Sequence, residues 1–178
     1  YIFMLEHAKY DMSGFYRKVV RDRCDMEALK GIFTSTSPAV FWDSLDGLKK
    51  KGRVNMGWAV DAPIIVDLLV RYYGDLEIMR EAYPSFKRFL LNCEKYFDVN
   101  HVPHCIGDHE SIEKPKPDKV LTAQCHYHQF LKLTAKFARR LGATSDAERF
   151  EATALELEKV FAKWLVNNPE KWTVGKGK

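Results

Sequence analysis

The sequence predicts an all-α fold. Apolar residues recur at helical spacing along five stretches of a dozen residues or more. No stretch shows the apolar–polar alternation of a half-buried strand. Glycines and helix-capping residues stand where those stretches should stop and start. With 178 residues, 46% of them hydrophobic and 29% charged, residues 1–178 read as a single globular domain.

The elements follow in order. Over residues 10–30, Met12, Phe15, Tyr16, Val19 and Val20 keep helical spacing with charges between them, and Gly31 suits a C-terminal cap. Residues 32–57 hold no period and contain Ser35-Thr36-Ser37-Pro38, Gly47 and Gly52, which reads as a long loop with room for a short helical turn. A helix spans about 62–73. Asp61 serves as its N-cap, Pro63 lies in its first turn and Gly74 stops it. Its apolar residues cover nearly the whole circumference, so it should be buried on most sides. Tyr83-Pro84 divides a short helix, about 75–82, from another at 84–97 that carries Phe86, Phe89, Leu90 and Cys93 on one stripe. Residues 98–117 are irregular. A long helix covers about 118–141 and ends at Gly142. Ser145 and Glu148 then form a capping box for a helix running to about Asn167, with Phe150, Leu157, Phe161 and Trp164 as its core residues.

Composition removes several classes of partner. The net charge of +4 comes from Lys and Arg interspersed with acids, a solvated surface that points to no nucleic acid. No run approaches the roughly 18 apolar residues of a membrane span, so no membrane partner is expected. Cys24, Cys93, Cys105 and Cys125 follow no regular spacing and read as free thiols. His101, His104, Cys105 and His109, with Cys125 or His126, contain metal-ligating types, but their spacing fits no recognised zinc pattern. No metal and no cofactor is therefore expected. No nucleophile-elbow signature occurs.

The helices also have a rhythm. A mostly apolar helix (62–73) precedes an amphipathic one (84–97). A helix rich in Tyr, His and Gln (118–141) precedes a strongly charged one (145–167). Inner helices of an α/α toroid touch neighbours on every side and outer helices do not, so the alternation predicts an inner and an outer layer. Loops entering the inner helices would then gather at one end. Trp58 and Asp61 precede one inner helix; Gly107, Asp108 and His109 precede the next. The two loops would face one pocket. Each residue also has a plainer reading. Asp61 fits an N-cap, Trp58 a packed loop aromatic, and Asp108 a turn-forming acid. His126 and His128 lie on opposed faces of one helix, so at least one of them should be structural.

The order of four segments resembles a known family. "YDMSGFYRKVVRDRCD" (10–25), "GWAVDAPIIVDLLVRYYGDLEIMREAYPSFKRFL" (57–90), "IGDHESIEKPKPDKVLTAQCHYHQFLKLTAKFARRLG" (106–142) and "DAERFEATALELEKVFAKWL" (146–165) together resemble the catalytic domain of the bacterial α-L-rhamnosidases. These are inverting glycoside hydrolases with an (α/α)6 barrel. The resemblance implies a bacterial glycosidase of undetermined compartment that hydrolyses terminal α-L-rhamnosyl linkages, with a rhamnose-containing glycan or glycoside as substrate. It implies substrate-binding roles for Trp58, Asp61, Asp108 and His109. Inverting chemistry needs a carboxylic acid on the leaving oxygen and a carboxylate about 6.5–9.5 Å away to activate water. Aromatic walls suit the methyl group of a 6-deoxy sugar.

Two departures bear on that reading. Ala59 and Val60 separate Trp58 from Asp61 where the family has one residue between Trp and Asp. The family's catalytic Glu motif would precede Tyr1, and its second Glu would follow Lys178, so no catalytic residue is expected within the chain. A start at Tyr1 rather than Met agrees with the central portion of a barrel, incomplete at both ends and completed by the remainder of its own barrel and flanking domains. The alternatives are another α/α-toroid carbohydrate-active enzyme or a non-catalytic helical binding module. Against the module, no repeat of ~34 or ~40 residues appears.

Overall fold

A computed structural model describes residues 10–34, 54–96 and 119–169, and every long element in them is a helix. Helix α1 spans Ser13–Lys30, α2 Met56–Ala59, α3 Asp61–Tyr73, α4 Leu76–Tyr96, α5 Lys119–Arg140 and α6 Thr144–Asn167.

The stops follow backbone chemistry. Gly31 and Gly74 take left-handed conformations (φ 72° and 66°), and their amides return to the carbonyls of Glu27 and Val70. This is the glycine C-cap expected at both places. Asp75 then starts α4, where its Oδ1 accepts from the Ile78 amide at 3.1 Å.

Three boundaries differ from expectation. First, α4 runs unbroken through Pro84. Proline removes one backbone donor, but Pro84 points to solvent while Ala82, Tyr83, Ser85 and Phe86 are buried beside it. Packing on both sides of the proline holds one helix where local propensity suggests two. Second, Asp61 is not an N-cap. The chain reaches α3 already helical through α2, with Val60 at φ −69° and ψ −15°, and the Met56 and Val60 carbonyls accept the amides of Val60 and Ile64. Third, α6 begins at Thr144 with no side-chain cap, so the Ser145–Glu148 box does not form. The turn at Gly142 folds the Ala143 amide onto the Ala138 carbonyl, and the Ala143 carbonyl then accepts from Ala147. The helix has therefore started before Ser145.

Ion pairs give the direction of each helix. Along α1 and α4, Arg17 meets Asp75, Arg21 meets Glu81, Glu27 meets Arg88, and the Gly31 carbonyl accepts from Asn92. Both sets ascend, so α1 and α4 run parallel. Asp146 accepts from Tyr83 (2.7 Å) and Lys87 (2.6 Å), and Arg149 reaches Glu94 at 2.6 Å, so α4 and α6 are parallel as well. His128 with Glu158 and Arg139 with Glu151 run in opposite order, which makes α5 and α6 an antiparallel hairpin. Helix α3 packs on α1, α4 and α5, and α5 packs on α3, α4 and α6. The result is an inner pair (α3, α5) backed by an outer row (α1, α4, α6), which is the predicted layering. Of α3, only Arg71 and Tyr72 are exposed.

The core sits between the layers. Phe33, Phe86, Phe89, Phe130 and Phe137 are essentially inaccessible, and their rings lie 5.0–6.0 Å apart, centre to centre, in tilted and edge-on pairs. Phe33 and Ile32 belong to the stretch expected to be loop, yet both are buried after α1 ends. Phe150 and Leu157 are core as expected; Phe161 and Trp164 are only half-buried.

Candidate functional site

Helix α2 is a single turn whose apolar residues Met56 and Ala59 are buried, and it packs against α5. That burial turns Trp58 outward, where 42% of its surface is accessible. The turn is also tied from the outer layer. Arg23, buried on α1, donates one guanidinium nitrogen to the Trp58 carbonyl and another to the Thr34 carbonyl. An arginine suits this position because its planar fork reaches two acceptors at once. In the same turn, Asn55 accepts from the amides of Trp58 and Ala59 through its carbonyl, while its side-chain Oδ1 is buried without a hydrogen-bond partner.

Asp61 follows as the first residue of α3. It is half-buried, and no hydrogen bond or ion pair engages its carboxylate among the described residues. Burial raises its pKa, and the nearby Arg23 and His126 oppose that shift. His126, on α5, is likewise half-buried. Burial lowers its pKa and Asp61 pulls it back up. A carboxylate beside an imidazole and an exposed indole, with no internal partners, can bind hydroxyl groups and the apolar face of a small polar ligand.

The direction of α3 and α5 bears on the shared-pocket expectation. Asp61 lies within electrostatic reach of His126, and farther along Asp67 accepts from Lys136 at 2.6 Å. Both contacts ascend, so the inner helices are parallel and begin at the same end of the layer. Trp58 and Asp61 stand at that end of α3. Asp108 and His109, expected to join them, lie outside the described residues, as do His101, His104 and Cys105 of the metal-ligand cluster. Among the described residues, no group of three or more His, Cys, Asp or Glu side chains is arranged to hold a metal. No described helix is long and apolar enough to cross a membrane.

The remaining ionisable groups near the core are accounted for by packing. Glu27 is fully buried against Arg88, and desolvation leaves its pKa raised despite that partner. Cys24, Cys93 and Cys125 are free thiols; burial pushes Cys24 up to about 11. None has the lowered pKa of a reactive thiolate. A separate concavity of about 290 Å³ between α5 and α6 is lined by Gln124, Cys125, His128, Leu157, Glu158 and Phe161.

Comparison with known proteins now bears on the same helices. The family described as bacterial alpha-L-rhamnosidase 6 hairpin glycosidase domain matches residues 2–177. The chain belongs to this family. That is the rhamnosidase glycoside hydrolase family which the order of its four segments suggested, and its described elements are helices. The solved structure of alpha-L-rhamnosidase from Dictyoglumus thermophilum superposes with a TM-score of 0.70 at 22% identity, over 86% of this chain and 17% of that one. At that identity the likeness is one of fold. The chain thus spans about a sixth of the length of that rhamnosidase. No curated protein matches it.

Two residues near Trp58 and Asp61 are not legible in the sequence as neighbours of that loop. Arg23 lies in a helix whose charges all look like surface charges, yet it is buried and bonds the Trp58 and Thr34 carbonyls. The sequence places His126 and His128 on opposed faces of one helix, with at least one of them expected to be structural. His128 bonds Glu158 on α6 at 2.7 Å, and His126 is half-buried on the same helix.

Proposed function

We propose that this chain is the central, ligand-binding part of an inverting α-L-rhamnosidase. Trp58 forms a wall for the sugar, Asp61 accepts from its hydroxyls, and Asp108 and His109 complete the pocket from the segment entering α5. The observation that carries this reading is Asp61: a half-buried carboxylate without an internal partner, beside an exposed tryptophan, at the end of the inner layer. Keeping such a group desolvated and unpaired costs stability, a cost that a ligand hydroxyl offsets. Family membership supplies the sugar class.

The general acid and general base are not assigned to Asp61 or to any described residue. The remainder of the barrel and flanking domains would supply them, with the pair set apart to admit water. The partner is a rhamnose-containing glycan or glycoside, and no cofactor takes part.

The test is hydrolysis of an aryl α-L-rhamnoside by the full-length protein that carries this chain. Asp61→Ala and Trp58→Ala should each lower kcat/KM by about tenfold or more, since each removes a contact worth about 1–2 kcal/mol. The first-formed sugar should be the β-anomer, read by proton NMR. The 178-residue chain alone should fall short by at least the ~10²–10⁴-fold that general acid–base catalysis contributes. Robust turnover by the isolated chain, abolished by Asp61→Ala, would move the chemistry onto Asp61 and end this reading. A first-formed α-anomer would end the inverting assignment.

A further inference from the structure

Resting on that reading, we infer that Arg23 is a positioning residue for the sugar pocket: from the outer layer, it fixes the turn that carries Trp58 and so sets where the indole stands.

The need for such a residue follows from α2. A helix of four residues is too short to hold itself together, since its few internal bonds do not offset the cost of ordering it. Its shape must come from outside. Burial of Met56 and Ala59 seats it on the inner helices α3 and α5, and this decides which side faces solvent. Apolar burial is not directional, so by itself it leaves the turn free to slide on that seat. Hydrogen bonds are directional, and Arg23 supplies them. It is 8% exposed on α1; one guanidinium nitrogen donates to the Trp58 carbonyl and another to the Thr34 carbonyl. Two acceptors on separate stretches of backbone fix the guanidinium plane. The plane in turn fixes the carbonyl of the residue whose side chain forms the wall.

The neighbouring arginines use their charges differently. Arg17 and Arg21, on the same helix, reach the carboxylates of Asp75 and Glu81 on α4. Those pairs are partly exposed and align two helices. Arg23 instead carries its charge inward to backbone carbonyls. Burying a guanidinium costs free energy even when it is hydrogen-bonded, and an apolar side chain would fill the same place without that cost. What the arginine adds is geometry, the position of the Trp58 turn. Its charge also acts on Asp61, whose carboxyl it draws down against the upward pull of burial.

The experiment is calorimetric binding of L-rhamnose to the full-length protein. Wild type is compared with Arg23→Met, Arg23→Lys, Trp58→Ala, the Arg23→Met/Trp58→Ala double variant and Arg21→Met. Methionine keeps an apolar stem and removes both donors, and should weaken binding about tenfold, close to the loss for Trp58→Ala. Because the arginine acts through Trp58, the double variant should bind within about twofold of Trp58→Ala alone. Lysine keeps the charge near Asp61 but not the fork, so Arg23→Lys should stay about threefold or more weaker than wild type; it carries the test if the methionine variant misfolds. Arg21→Met, which removes an exposed pair with Glu81, should bind within about twofold of wild type. Hydrolysis of an aryl rhamnoside separates positioning from folding. A displaced wall raises KM and leaves kcat largely unchanged, whereas a shortage of folded enzyme lowers kcat and leaves KM unchanged. Three results would overturn the role of Arg23 and leave the rhamnosidase reading standing: losses that multiply in the double variant, a lowered kcat at unchanged KM, or full affinity in Arg23→Met or Arg23→Lys beside weak binding by Trp58→Ala. A wild-type protein that hydrolyses no rhamnoside and binds no rhamnose would overturn both.

Discussion

Asp61 shows what single residues contribute here. Its carboxyl is held above its ordinary value, chiefly by burial. A raised acid favours the folded state only while protonated. Its ionised form therefore destabilises the native protein, and that penalty grows as pH rises through the folded pKa. Asp61→Asn should raise Tm at pH 7. The gain should disappear below about pH 4, where the unfolded-state carboxyl is also protonated. Thermal melts at pH 7 and pH 3.5 check this. A variant that is more stable and binds sugar less well is the signature of a residue kept for ligand rather than for fold. Asp75 has the opposite sign. Arg17 and the Ile78 amide hold its carboxyl low, so its contribution is present above the unfolded pKa and is lost as pH falls through the folded one.

At the scale of elements, α4 is the informative case. Pro84 leaves the Arg80 carbonyl without its helical amide, yet the helix continues because Phe86, Phe89, Leu90 and Cys93 continue the buried stripe begun by Ile78, Met79 and Ala82. Pro84→Ala restores the amide on a solvent-facing position and should stabilise the protein, by at most about 3 kcal/mol. Chemical denaturation measures it. A loss of stability would mean that the proline ring itself packs against a neighbour. The outer helices also show how parallel neighbours stay in register. Each is pinned by acid–base pairs at intervals, Asp75, Glu81 and Glu27 on one side of α4, Asp146 and Arg149 on the other. Most are partly exposed and individually weak, so they select the alignment more than they supply stability.

At the scale of the whole molecule, stability rests on the phenylalanine cluster that joins the layers. Phe130 of α5 touches Phe33 beyond α1 and both Phe86 and Phe89 of α4. Removing it opens a cavity where three segments meet. Phe130→Ala should cost about 3–5 kcal/mol, and equilibrium unfolding should show it. A loss below about 1 kcal/mol would mean that this cluster is not what joins the layers.

These scales separate what the sequence alone determined from what tertiary structure decided. The all-α class, the two-layer alternation and the glycine stops at Gly31 and Gly74 were legible because they depend on local quantities: a 3.6-residue period and one backbone conformation that glycine adopts readily. The family was legible in the order of four segments. The start of α3, the unbroken α4 and the missing cap of α6 were not, because each depends on residues packed from elsewhere. Val60 is helical because α2 is buried on α5, and Pro84 is tolerated because both its flanks are buried. Phe33 reads as loop because its partners lie more than fifty residues away in sequence. The site divides the same way. Trp58 and Asp61 stand out as an aromatic and an acid before an apolar helix. Arg23 acquires meaning only from the carbonyls it reaches. Which side of a helix meets which neighbour is fixed by burial summed over the whole core, a quantity that no local stretch of sequence contains.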